Sequence, residues 1–241
     1  GTYDLNAPQT YIDAGTYTIY YEITATNYTT KTGSYTLTIN KIAPSHVVSG
    51  NSLTYNGSAQ TLGTVTTNGG AVTYSSSENG TYSSTCPTQT NAGTYTTYYK
   101  IAESTNYTAY SGSFETTIAQ KAVVINVTNQ STEYPNVKTY TFTSDGDGTF
   151  SVTSSDPTIA TATISGKTIT ITPQKADTTP ITITITHTAK DGGNILSGTK
   201  DFIFTIVDSS APQVTINATD YNTFTWTASD ENGVFGYQIT T

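Results

Sequence analysis

Short runs of alternating apolar and polar residues fill the chain. The clearest are TITIT (residues 168–172) and ITITIT (residues 181–186), where Ile recurs at every second position and Thr fills the gaps. A period of two places alternate side chains on opposite faces, so each run predicts a strand with one buried and one solvated face. Further strands are expected in HVVSG (46–50), SLTYNGSAQTL (52–62), AVTYSSSENGTYSST (71–85), GTYTTYYKIAES (93–104), SGSFETTI (111–118), SVTSSDPTIATATISGKTITITPQ (151–174) and KDFIFTIVD (200–208). Turn residues separate them, and Asn79-Gly80 reads as a tight hairpin because both residues tolerate positive φ. No window sustains apolar spacing at i, i+3, i+4 and i+7, so almost no helix is expected.

A repeat of about 78 residues underlies the first half. AGTYTIYYEITATNYTTKTGSYTLTI (14–39) returns as AGTYTTYYKIAESTNYTAYSGSFETTI (92–118), with one extra residue in the second copy's turn. The match extends upstream, where Gly1-Thr2-Tyr3 parallels Gly80-Thr81-Tyr82 and Pro8 parallels Pro87. The expected organisation is the C-terminal part of one module over 1–43, a complete module over 44–121, a module of different pattern over 122–208, and the N-terminal part of another over 209–241. The chain therefore reads as a segment cut mid-module at both ends. Its joints, KIAP (41–44), QKA (120–122) and DSSAP (208–212), are short, and two hold proline, which restricts φ. Short joints predict modules arranged end to end.

Composition narrows the class. At 241 residues the chain suits two to three small sandwiches. Hydrophobic residues make up 34% and charged residues only 11%, while 19 Tyr and abundant Thr supply the β-branched and aromatic side chains that suit a pleated, half-buried surface. Nine Lys and Arg against 17 Asp and Glu give a net charge of -8, with no basic cluster to track a phosphate backbone, which argues against nucleic acid as a partner. No apolar run long enough to insert in a membrane appears. The single cysteine, Cys86, allows no internal disulfide, so stability must come from strand pairing and burial.

DAGTYTIYY (13–21) and NAGTYTTYY (91–99) resemble the D-x-G-x-Y-x-C corner of immunoglobulin sequences, with Ile19 and Thr97 where the cysteine would stand. In such a corner the tyrosine hydroxyl bonds back to upstream backbone and fixes the turn into a core strand. Tyr17 and Tyr95 can do this without sulfur. Counting by twos points Ile19, Tyr21 and Ile23 inward, and likewise Thr97, Tyr99 and Ile101. Tyr20 and Tyr98 then face outward beside Glu22 and Lys100. The stretch YNGSAQTL…PTQTNAGTYTTYYKIAESTNY resembles the MBG-type bacterial immunoglobulin-like repeats over roughly residues 1–120. VTSSDPTIATATISGKTITITP (152–173) is similar to the Big-2 family, although KADTTP replaces its usual later Gly-x-Ala. FTWTASDENGVFGYQIT (224–240) resembles the start of a fibronectin type III module, with Trp226 as the core tryptophan and Tyr237 on the next strand. These resemblances imply secreted or wall-attached extracellular modules of a bacterial cell-surface protein and imply no catalytic residues.

Candidate chemistry is sparse. Tyr20 and Tyr98, with Tyr28 and Tyr107 in the following turns, offer stacking platforms for a glycan or protein, set against ordinary cross-strand aromatic pairing. Cys86 and Gln89 have thioester-like spacing, but the equivalent first-copy residue is Ala7, so Cys86 reads as an inert core thiol. Lys121 and Lys138 are candidates for Lys-Asn isopeptide cross-links, which need a buried Lys, Asn and carboxylate together. SDGDGTF (144–150) and SDENG (229–233) cluster oxygens without the ligand ladder of a calcium loop, and read as turns. His46 and His187 are isolated, and no catalytic or phosphate-binding motif appears. The NYT sequons at Asn27 and Asn106 follow from a Thr-rich composition.

The resulting expectation is an all-β chain of tandem immunoglobulin-like β-sandwiches arranged end to end, with no catalytic, cofactor or metal site. It would act as a non-enzymatic spacer and adhesive region outside the cell, with neighbouring modules of the same chain and an environmental or host glycan or protein as partners. Two alternatives stand beside it. One is a glycan-binding accessory region of a secreted carbohydrate-active enzyme; the other is a filament subunit that exchanges strands between neighbours.

Overall fold

The computed structural model describes residues 9–209, 211–218 and 224–230, all as strand, turn or irregular chain without helix. Tyr237, the second half of SDENG and the first eight residues lie outside this description. The chain divides between Ala119 and Gln120 into two compact units.

The first unit opens with an antiparallel hairpin of β1 (Gly15–Ile23) and β2 (Lys31–Ile39), paired from Gly15↔Ile39 to Ile23↔Lys31. A sandwich follows, with β3 (His46–Gly50), β4 (Leu53–Thr54), β5 (Gln60–Thr61), β6 (Gly63–Thr67), β7 (Val72–Ser75), β8 (Thr88–Gln89), β9 (Gly93–Ile101) and β10 (Tyr110–Ala119). One sheet has the order β4-β10-β9-β7, and β4 runs parallel to β10. Opposite lie the pairs β3-β6 and β5-β8. Residues from both sides meet in one core of Leu62, Val65, Tyr74, Cys86, Tyr99, Ile101 and Ile118.

The second unit repeats the scheme more fully. Its strands are β11 (Ile125–Asn126), β12 (Gln130–Glu133), β13 (Lys138–Thr141), β14 (Thr143–Ser144), β15 (Thr149–Ser154), β16 (Ala160–Ser165), β17 (Thr168–Pro173), β18 (Ile181–Thr188) and β19 (Gly198–Val207). The order β12-β19-β18-β15 faces β13-β17-β16, and β12 runs parallel to β19. An N-terminal strand parallel to the last strand, with the central pairs antiparallel, is the immunoglobulin-like arrangement. The predicted alternation holds: Ile169, Ile171, Ile181, Ile183 and Ile185 are all buried, joined by Phe202, Phe204 and Ile206. A separate hairpin pairs β20 (Gln213–Ala218) with β21 (Phe224–Ser229).

The tyrosine corners form as expected. The Tyr17 hydroxyl donates to the Asp13 carbonyl at 2.8 Å and Tyr95 to the Asn91 carbonyl at 2.9 Å. Each ring folds back over the glycine two residues earlier, where an added Cβ would meet the ring at 3.3 Å, which is why Gly-x-Tyr recurs. A third Gly-Thr-Tyr, Gly80-Thr81-Tyr82, shares the hydroxyl bond, with Tyr82 donating to the Glu78 carbonyl at 2.9 Å, but an added Cβ on Gly80 would meet Ser75 and Ser77 rather than the ring. Inward counting also holds in β9, where Thr97, Tyr99 and Ile101 are buried. It fails in β1, where Tyr21 and Ile23 are exposed, Ile23 to 59%, because among the described residues β1 and β2 form a two-stranded sheet with no opposing sheet. Asn79-Gly80 is not a tight hairpin. The strand before it stops at Ser75, Gly80 N–H closes a local turn onto the Ser77 carbonyl, and Ser83 returns to exchange both backbone bonds with Tyr74.

Candidate functional site

A polar and aromatic surface lies beside β9 in the first sandwich. Outward residues Tyr98 and Lys100 meet the irregular loop that replaces a further strand between β7 and β8. Lys100 Nζ sits 4.0 Å from the centre of the Tyr82 ring, a cation–π contact. Glu78, Tyr82, Tyr98, Lys100, Ser111 and Ser113 line a shallow groove of about 330 Å³. Adjoining it, a cleft of about 430 Å³ is floored by Leu62 and walled by Ser77, Glu78, Gln89, Thr96 and Tyr98. Aromatic faces, a carboxylate, an ammonium and hydroxyls together suit a polyhydroxylated or peptide ligand.

The platform tyrosines predicted from sequence are not gathered here. Only Tyr98 lines the groove. Tyr20 is 62% exposed on β1, and Tyr28 is 80% exposed beyond it. The Tyr107 hydroxyl accepts from Asn68 Nδ2 at 3.1 Å. Tyr82 and Glu78, which complete the groove, were not singled out; the third Gly-Thr-Tyr was the signal that could have found Tyr82.

Other candidates are occupied by structural contacts. Cys86 lies in the core, where burial pushes its thiol up despite hydrogen bonds from the Gly63 and Leu62 backbone, whereas Gln89 faces the cleft. Lys121 reaches an Asp145 carboxylate at 2.7 Å and is partly solvated, unlike the buried triad a cross-link requires. Lys138 pairs across to Ile171 in the β13-β17 ladder. In SDGDGTF, Asp145 also accepts from Val124 N–H at 2.7 Å and Asp147 from Asn194 N–H at 2.8 Å, so both carboxylates hold backbone in place. His187 is fully buried, with Nδ1 3.1 Å from the Leu196 carbonyl and Nε2 accepting from Gly148 N–H at 3.0 Å. Together these two bonds select the Nδ1–H tautomer. His46 packs against the Tyr110 ring with centroids 4.4 Å apart. Among the described residues no group of three or more His, Cys, Asp or Glu could hold a metal ion.

Asn106, a sequon residue, has a different task. Its Nδ2 donates to the Asp13 carboxylate at 2.9 Å, and its Oδ1 accepts from Ala14 N–H at 2.6 Å. Ile42 adds backbone bonds to Asn106 and Thr108, while Lys41 pairs with Glu103. The hairpin is thereby tied to the β9-β10 turn of the sandwich. In the second unit Lys121 makes the matching backbone pair to Asn194 and Leu196 in the β18-β19 turn.

No family model matches the chain, and no curated protein matches it. Among solved structures the chain is similar to titin domains z1z2 in complex with telethonin, at 10% identity and a TM-score of 0.39, covering 71% of this chain and all of that one. It is similar to domains 4 and 5 of the S-layer protein SbsC, at 16% identity and a TM-score of 0.29, covering 70% of this chain and all of that one. It is also similar to Drosophila N-cadherin EC1-4, at 11% identity and a TM-score of 0.35, covering 86% of this chain and 62% of that one.

Proposed function

We propose that the chain is a non-enzymatic, tension-bearing spacer and adhesive region of an extracellular bacterial surface protein, attached at the cell surface or wall. On this reading its modules are MBG-type repeats followed by a Big-2-like module and the start of a fibronectin III-like one. The observation that carries the proposal is the parallel pairing of the second strand with the last strand in both sandwiches. Because β4 runs parallel to β10 and β12 to β19, pulling on the two ends of a sandwich slides these strands along each other. Their hydrogen bonds are then loaded together rather than opened one by one.

The clamps differ in length. β12 and β19 pair over four residues, Gln130–Glu133, extended by Tyr134 N–H on the Val207 carbonyl at 3.0 Å. β4 and β10 pair over only two, extended by Tyr55 N–H on the Ala119 carbonyl at 2.8 Å. Single-molecule stretching of the chain should therefore unfold the first sandwich at a lower force than the second. If the second yields first, or if both open without measurable resistance, the tension-bearing reading fails.

The groove at Tyr98 and Tyr82 favours a second reading, a glycan-binding accessory region. Oligosaccharide binding that Tyr98→Ala abolishes would support it over the spacer.

A further inference from the structure

The two sandwiches differ where strand β9 meets its neighbour. Ala102 N–H donates to the Ala71 carbonyl, so the backbone of residues 102, 100, 98, 96 and 94 faces the β7 side of the sheet. Yet β7 pairs with β9 only from Val72↔Ile101 to Ser75↔Tyr98. Beyond Ser75 the chain turns away, and among the described residues no ladder partner faces Thr94 or Thr96. The second sandwich fills this place. Counting from Ile101↔Tyr110 and His187↔Gly198, Thr96 corresponds to Thr182. Thr182 donates to Ser155 Oγ at 3.0 Å, and its carbonyl accepts from Ser155 N–H at 2.9 Å. Against Thr94 and Thr96 lies instead the cleft of about 430 Å³ floored by Leu62.

We propose that this edge is a docking site for an extended peptide segment of a partner protein, added as a short strand beside β9. Unpaired N–H and C=O groups at 94 and 96 supply up to four backbone bonds, a mode in which main-chain pairing gives affinity and side-chain pockets give selectivity. The second sandwich shows what the position beside Thr96 accepts: backbone with a small side chain, Ser155, at the bend that follows β15. The walls at Ser76, Ser77, Gln89, Thr94 and Thr96 suit small polar side chains on the guest, and Glu78 in the lining favours a basic residue among them. The cleft accepts a strand whether or not the chain carries tension.

The first test needs no ligand. Thr94 and Thr96 amides should exchange with solvent at least tenfold faster than the Thr182 amide in the same chain, and equal protection would overturn the proposal. The second uses a random heptapeptide library displayed on phage and selected on the whole chain, with the enriched peptide then synthesised. It should slow exchange at Thr94 and Thr96 and lose binding to Thr96→Pro. Proline there removes an N–H that points away from β10, so the β9-β10 ladder survives. Gln89→Trp, which fills the cleft from the opposite wall, should abolish binding too and serves if the proline variant unfolds. Enriched peptides that bind both variants as well as the parent overturn the proposal. So does a failure to enrich any peptide while an oligosaccharide array binds the parent and Thr96→Pro equally but not Tyr98→Ala, since the surface would then be a glycan platform.

Discussion

Two buried threonines on adjacent strands should respond to the same substitution with opposite signs. Thr97 is 0% exposed in β9, and its Oγ1 is buried with no hydrogen-bond partner. Thr116 is 2% exposed in β10, and its Oγ1 donates to the Leu62 carbonyl at 2.6 Å. A buried hydroxyl without a partner costs about 1–3 kcal/mol, and a buried methyl in its place contributes about 0.8 kcal/mol. Thr97→Val keeps the β-branched shape that strands favour, so allowing for imperfect fit it should stabilise the first sandwich by about 1–2 kcal/mol. The repeat already makes a similar change, since Ile19 stands at the same point of its first copy. Thr116→Val instead deletes a bond. The Leu62 carbonyl keeps a second donor, Asn51 N–H at 3.0 Å, so the loss should stay near 0.5–1.5 kcal/mol rather than the full cost of an orphaned acceptor. Urea denaturation of the whole chain, followed through resonances of the first sandwich, measures both. For a sandwich of this size each kcal/mol corresponds to about 4–8 °C in Tm. A Thr97→Val variant no more stable than its parent, or a shift of the same sign for both variants, would refute the reasoning.

Tyr95→Phe should cost the first sandwich about 0.5 kcal/mol, the low end for one hydrogen bond because this one is exposed; an unchanged midpoint would remove the corner's energetic role. Gly112→Ala should destabilise by about 1–3 kcal/mol, because its Cβ would stand 2.6 Å from the Tyr99 hydroxyl, directly across the ladder, and that ring is hemmed in by His46, Tyr110 and Phe114. Equal melting temperatures would show that the ring moves freely. Burial pushes the Asp145 carboxyl up, but hydrogen bonds from Lys121 and Val124, with the Lys121 charge, hold it below its ordinary 3.8. A depressed folded value means that the stabilisation is present above the unfolded range and is lost as pH falls through the folded one. Lys121→Ala should move the Asp145 titration upward by NMR, and an unmoved curve would exclude the pairing.

Local pattern determined a good deal by itself. Alternating Ile and Thr in TITIT and ITITIT fixed which face of β17 and β18 is buried, since side chains in a strand can only alternate. The tyrosine corners were legible because hydroxyl and carbonyl lie four residues apart. Tertiary structure decided whatever depends on distant partners. That Thr97 faces inward followed from counting; that its hydroxyl finds nothing there depends on the opposing sheet. Asn106 looked like a sequon until Asp13 and Ala14 met it across more than ninety residues of chain. Asn79-Gly80 had the composition of a tight turn, but β7 ends too early to need one there. The open edge at Thr94 and Thr96 depends on where β7 leaves β9, and that departure point is set by contacts of the following loop, Tyr82 on Lys100 and Ser83 on Tyr74, which no local pattern encodes. A strand's faces are written in its own residues, whereas its neighbours are chosen by the rest of the fold.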